Sequence, residues 1–216
     1  MTGTTGQARS QVPSQRLRTM RSMGTSTHEL NAGSLCLDFV SVAKELEETE
    51  DPKRSLREWF VDRGLPEPLG GVTDEDVTDA GVLAKSISSV ARDLLDNRDP
   101  SPVAVRHINV RAEHPTPVFF LRGNGRRRQA RGEIDARASW SVIARDAVHL
   151  FSSSDLLRLR LCGRPQCGVI FYDRSPAGRR RWCAMRGCGE RVAAAAYRAR
   201  QAMAAPGGPV PQTVEL

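Results

Sequence analysis

Cys162, Cys167, Cys183 and Cys188 are spaced C-x4-C-x15-C-x4-C, and no other feature of the chain restricts its local fold so tightly. Zinc takes four thiolates tetrahedrally, and a pair of cysteines a few residues apart can turn both sulfurs towards one ion. Two equal pairs around one loop therefore argue for a single closed Zn2+ site, held by Cys162, Cys167, Cys183 and Cys188. A site filled by four thiolates leaves no position for water, so the metal is expected to be structural and not catalytic. The alternatives are four merely buried thiols or two disulfides. A redox-active pair usually has CxxC spacing, which neither pair has. Gly163, Pro165 and Gly168 suit a tight turn around the first pair, and Gly187 and Gly189 flank Cys188.

The chain has 216 residues, enough to bury an ordinary core without disulfides. No apolar run reaches the roughly 18 residues of a membrane span, and the N-terminus offers no h-region before a cleavage site. These features predict a soluble, cytoplasmic protein of bacterial type with no membrane partner. In a reducing compartment, clustered cysteines are metal ligands or catalytic thiols more often than disulfides.

Charge is concentrated beside the thiols. From Leu156 to Arg200 there are eleven Arg, no Lys and two acids (Asp173 and Glu190), a net of +9, whereas the remainder has 21 basic and 23 acidic residues, a net of −2. The positive field belongs to the cysteine segment, and a polyanion is its natural partner. The same arginines also offset the net −2 charge of a zinc tetrathiolate.

The rest of the chain reads as mainly α with a small β-hairpin. Residues 1–27, free of acids and without apolar periodicity, predict a disordered tail. Residues 28–155 predict a helical domain, 156–204 a zinc finger with a C-terminal helix, and 205–216 a flexible Pro/Gly-rich tail. Leu35, Phe39, Val42 and Leu46 recur at helical spacing, so Ala32 to Leu46 is expected to be a helix. Cys36 lies beside that stripe and reads as a small core residue, not a fifth ligand. Ser55 and Glu58 form a capping box for a short helix carrying Leu56, Trp59 and Phe60 and ending at Gly64.

Thr73 caps a long helix to Leu95, with Asp74, Glu75 and Asp76 in its first turn. Ser101-Pro102 opens another towards Ala112, which Pro115 and Pro117 stop. The stretch "VFFLR" reads as a strand, and the turn "GNGRRRQARG" returns the chain to a partner near Glu133 to Ala136. Arg126, Arg127, Arg128 and Arg131 then sit at a hairpin tip, a solvated turn with a second nucleic-acid contact as the alternative. Ser139 starts the next helix. Within the cysteine segment, "GVIFYD" reads as a strand, Trp182 packs on the metal module with base stacking as the alternative, and an Ala-rich helix runs from Cys188 to Pro206.

His28, His107, His114 and His149 are scattered, with no nucleophile beside them. There is no phosphate loop, nucleophile elbow or His-containing open metal site, so no catalytic residue is assigned and the chain does not read as an enzyme.

The segments "RLRLCGRPQCGVIFYDRS" and "RRWCAMRGCGER" resemble the zinc finger named CGNR for its Cys-Gly-Asn-Arg motif. "LCLDFV", Leu35 to Val40, resembles the ABATE-like helical domain that accompanies this finger in bacterial proteins described as stress-induced transcription regulators. The resemblance implies that the four cysteines are the metal ligands and that the finger has a nucleic-acid role. Glu190 stands where the motif has Asn, and the helix after it carries an alanine run where relatives have more Lys or Arg.

The leading expectation is a zinc-finger transcription regulator that contacts DNA through Arg179, Arg180, Arg181, Arg186, Arg191 and Arg198. An RNA-binding zinc-ribbon-like protein would use the same charges with Tyr172 or Tyr197 stacking on bases. A zinc-stapled interaction domain without nucleic acid is the third reading. A small ligand sensed by the N-terminal helices is a further expectation, which the sequence does not identify, and it leaves the oligomeric state open.

Overall fold

In a computed structural model, residues 32–123, 125, 127–131 and 134–204 are described. The tails expected at 1–27 and 205–216, and His28, Arg126 and Glu133, lie outside these residues.

Five helices build the N-terminal part. They are α1 (Leu35–Leu46), α2 (Pro52–Asp62), α3 (Asp74–Leu95), α4 (Pro102–Glu113) and α5 (Ala136–Ser152). The apolar stripe of α1 packs against α3 and α5, while α4 closes the other side of α3 and α5. Phe39, Trp59, Phe60 and Trp140 bring four buried rings together at tilted angles, with centroids 5.1 to 6.0 Å apart. Such tilted contacts let the positive ring edge meet the negative face.

Local chemistry starts each helix. Thr73 caps α3, as its sequence predicts, and Asp76 answers it in a reciprocal capping box. For α2 the cap is Asp51, whose carboxylate accepts the Arg54 N–H at 3.0 Å, and not Ser55. Pro52 at the first helical position loses no needed hydrogen bond there, so the helix begins earlier than the Ser55 box suggests. For α5 the cap is Asp135, which accepts from the Ala138 N–H at 3.0 Å, in place of Ser139.

That earlier start displaces the hairpin. Strand β1 (Phe119–Arg122) pairs antiparallel with β2 (Arg127–Ala130), and Arg122 stands opposite Arg127. Gly123 and Gly125, at φ 64° and 76°, supply the left-handed backbone that turns the chain within four residues. The partner strand is consequently the arginine run itself, not Glu133 to Ala136.

A buried polar cluster fixes the entry to α1. Asp146, reaching over from α5, accepts from the Ser34 hydroxyl at 2.6 Å and the Cys36 N–H at 2.8 Å. Asp38 accepts the Ala32 N–H and pairs with Arg63, just past the end of α2, at 2.8 Å. Burial pushes the Asp38 carboxyl up, and the Ala32 N–H and Arg63 pull back against it. Cys36 is fully buried beside Ser34, and burial followed by the Asp146 charge holds its thiol well above the usual range.

The C-terminal module adds β3 (Leu159–Leu161), β4 (Ile170–Tyr172) and α6 (Glu190–Ala204). Leu159 is buried at the start of β3 while Leu161 is exposed at its end, and β3 pairs antiparallel with β4, Leu159 opposite Tyr172. The sequence predicts β4 and not β3, although each is three residues long. This hairpin lies on α1 and α3, and Leu159, Ile170 and Phe171 belong to the same buried core as the helices. Two further contacts join the parts: the Tyr172 N–H donates to the Ala32 carbonyl at 2.6 Å, and Gly33 lies against the Tyr172 carbonyl.

Candidate metal centre and basic surface

The first cysteine pair is held by backbone. The Cys162 N–H donates to the Val169 carbonyl at 2.9 Å and the Cys167 N–H to the Arg164 carbonyl at 3.2 Å. Gln166 and Gly168 take positive φ of 66° and 68°, which bends the loop sharply on either side of Cys167. In the second pair Gly187, at φ 88°, breaks the chain before α6, and the Gly189 N–H returns to the Ala184 carbonyl at 3.1 Å.

These two turns bring the four sulfurs of Cys162, Cys167, Cys183 and Cys188 within 4.8 Å of one another. The Cys167–Cys183, Cys167–Cys188 and Cys183–Cys188 sulfurs are 3.7, 3.5 and 3.5 Å apart. A tetrahedron with Zn–S bonds of about 2.3 Å has edges of about 3.8 Å, so the donor set fits a thiolate-bound metal ion. All five cysteines are unbridged, which sets aside two disulfides, and Cys36 stands outside the cluster.

The electrostatics point the same way. Burial pushes the Cys183 and Cys188 thiols up, whereas at Cys167 the Val169 backbone and neighbouring sulfurs outweigh burial and lower the thiol to about 7. Four sulfurs this close cannot all ionise without a cation between them. Arg164 donates through Nε to the Cys188 sulfur at 3.1 Å, and the Cys183 N–H points at the Cys162 sulfur at 3.5 Å.

Trp182 explains two glycines. A Cβ on Gly163 would stand 3.1 Å from the indole, and one on Gly189 3.1 Å from the same ring and 2.7 Å from the Met185 sulfur. The half-buried Trp182 thus sits between the glycine that follows Cys162 and the glycine that follows Cys188. Close packing accounts for both, and at Gly163 it stands in place of the tight turn expected there. Gly189→Ala should therefore loosen the finger by about 1–3 kcal/mol through overpacking. Faster loss of metal to a chelator, with the helical part unchanged in circular dichroism, would verify this.

The arginines divide into two groups. Arg158 donates to the Asp173 and Ser175 carbonyls, and Arg160 to those of Leu157 and Leu159. Arg180 donates to the carbonyls of Trp182 and Cys183 and lies over the Phe171 ring at 4.9 Å. These side chains brace the module from within. Arg179, Arg181, Arg186, Arg191 and Arg198 are exposed, and Arg181 lies on the outer side of Trp182 at 4.9 Å. Among the described residues Arg179, Arg181, Arg186, Arg191 and Arg198 form no ion pair with an acid.

Both acids of the segment are accounted for. Asp173 is fully buried and accepts the N–H groups of Ser175 and Arg180 at 2.9 and 2.8 Å, which lower its carboxyl against the effect of burial. Glu190 is exposed in the first turn of α6, where a carboxylate suits the helix dipole. Arg179 to Trp182 and Met185 line a shallow concavity of about 440 Å³. A wider one, about 680 Å³, lies between α1, α3 and the loop Cys167–Ile170.

Among the described residues no helix is long and apolar enough to cross a membrane. No curated protein matches the chain. Residues 158–201 match the CGNR zinc finger, and residues 33–154 match the ABATE family, described as "Putative stress-induced transcription regulator". With more than half its length matched by that family, the chain belongs to ABATE and carries a CGNR zinc finger after the helical domain.

Proposed function

We propose that Cys162, Cys167, Cys183 and Cys188 hold one structural Zn2+, and that the finger so formed binds DNA in the service of transcription regulation. The observation that carries the reading is the exposed set Arg179, Arg181, Arg186, Arg191 and Arg198, free of acidic partners among the described residues, with Asp173 buried. Helix α6 is exposed along nearly its whole length, so Arg191 and Arg198, seven positions apart, share one open face. Arg180 serves the reading indirectly, by holding the turn that carries its neighbours. A small ligand of the helical domain would sit in the concavity against Cys167–Ile170, where occupancy reaches the finger.

The test is binding of the zinc-loaded protein to mixed-sequence duplex DNA, followed by anisotropy across a salt series. Each phosphate contact adds about 0.9 to the slope of log K against log salt. Arg181→Ala with Arg198→Ala should flatten the slope by about 1.8 and weaken all sequences alike. Glu190→Asn should tighten binding by removing a like charge. Arg180→Ala should instead lower thermal stability and metal retention. Preference for single-stranded RNA would favour the RNA reading, and no retention of either nucleic acid the interaction-domain reading.

A further inference from the structure

The β1–β2 hairpin is a second charged feature, remote in sequence from the finger. From Pro117 to Gly132 the chain carries five arginines, Arg122, Arg126, Arg127, Arg128 and Arg131, and no acid. Arg122, Arg128 and Arg131 are exposed, and among the described residues none of them forms an ion pair. Two are held in place without being neutralised. Arg128 stacks over the Phe119 ring at 3.3 Å, and Arg122 donates one N–H to Gln129 Oε1 at 2.7 Å. A guanidinium has five donors, so each keeps most of its fork for a partner.

The hairpin also exposes Val118, Phe120 and Leu121, at 63%, 42% and 70%. Phe120 stands opposite Gln129 and Leu121 opposite Arg128, so across the ladder each meets a polar residue. Apolar groups so divided do not form the continuous desolvated centre that a protein interface needs. Like charges packed this densely repel one another until a polyanion neutralises them. A two-stranded ribbon fits the major groove of a DNA duplex, where guanidinium groups meet phosphates and apolar side chains meet thymine methyls.

We infer that the β1–β2 hairpin is a second nucleic-acid arm, which grips duplex DNA through Arg122, Arg128 and Arg131. It shares the class of partner with the finger reading but rests on separate residues, so each can fail alone. The experiment uses the full zinc-loaded chain and labelled duplex DNA over a salt series. Arg122→Ala, Arg128→Ala and Arg131→Ala together should flatten the log–log slope by about 2.7, and the matching Lys triple should keep it. The finger pair Arg181→Ala and Arg198→Ala is measured alongside.

An unchanged slope in the Ala triple, with loss in the finger pair, overturns the arm and leaves the finger. Loss in the Ala triple with an unchanged finger pair supports the arm and overturns the finger. A Lys triple that behaves as the Ala triple shows a loss of fold and not of charge, and overturns the arm. Polyglutamate binding that depends on the hairpin, with a DNA slope that does not, assigns it to an acidic protein and overturns it as well. No binding of duplex DNA by the unmodified chain overturns both.

Discussion

Replacing Cys183 by Ser should release the metal, unfold the segment from Leu159 to Arg191 and lower the melting temperature of the helical domain with it. Cys183 is fully buried, the most buried of the four cysteines, and structural zinc supplies on the order of 10–16 kcal/mol to the folding of isolated finger peptides. The effect should spread because the finger owns no separate core: Leu159 and Phe171, almost fully buried, pack with the helices. Withdrawing two such side chains forfeits about 1.5–3 kcal/mol each. Metal analysis and calorimetry on Cys183→Ser and Cys36→Ser would separate the roles. The first should lack zinc and melt lower; the second should keep zinc, since Cys36 lies outside the cluster.

Gly33→Ala should detach the finger from the helices while leaving the metal in place. Gly33 has φ +89°, and a Cβ there would fall 2.3 Å from the Tyr172 carbonyl oxygen. The obstacle is backbone, which cannot swing aside as a side-chain end can. Left-handed strain of about 1–2 kcal/mol adds to overpacking of about 1–3 kcal/mol. The Ala32–Tyr172 backbone bond would part as well. Limited proteolysis should cut near residue 155 in the variant, with zinc content unchanged. Gly81→Ala, on a helix with nothing within 4 Å of the added Cβ, serves as the control and should stabilise by up to about 1 kcal/mol. Equal behaviour of the two variants would contradict the close approach.

How far the fold could be read in advance depended on the range of the information. Helices α1, α3 and α4 follow from local signals: the Leu35–Phe39–Val42–Leu46 stripe, the Thr73 box and Pro102. The four-cysteine cluster was legible for the same reason, because ligand spacing is a statement about short loops. What was not legible depends on partners far along the chain. Asp146 serves the start of α1 from about 110 residues away, and nothing near Cys36 announces it. Arg180 resembles its neighbours in sequence, yet the carbonyls of Trp182 and Cys183 and the Phe171 ring claim it. Ser55 and Ser139 misled because a box or cap was present in each, but Asp51 and Asp135 capped earlier turns.

The packing of the finger on the helices was hidden for a related reason. A cysteine-organised segment poor in apolar residues reads as a separate module. Its inward residues, Leu159, Ile170 and Phe171, complete the core of α1 and α3 instead. The four-cysteine cluster and this shared core together position the arginine-bearing turn against the helical domain.

X-ray absorption at the zinc edge of the protein purified without chelator tests that centre most directly. The account predicts one zinc per chain with four sulfur neighbours at about 2.3 Å and no nitrogen or oxygen in the first shell. A zinc-free protein, or a zinc with a light-atom ligand in place of one sulfur, would contradict it.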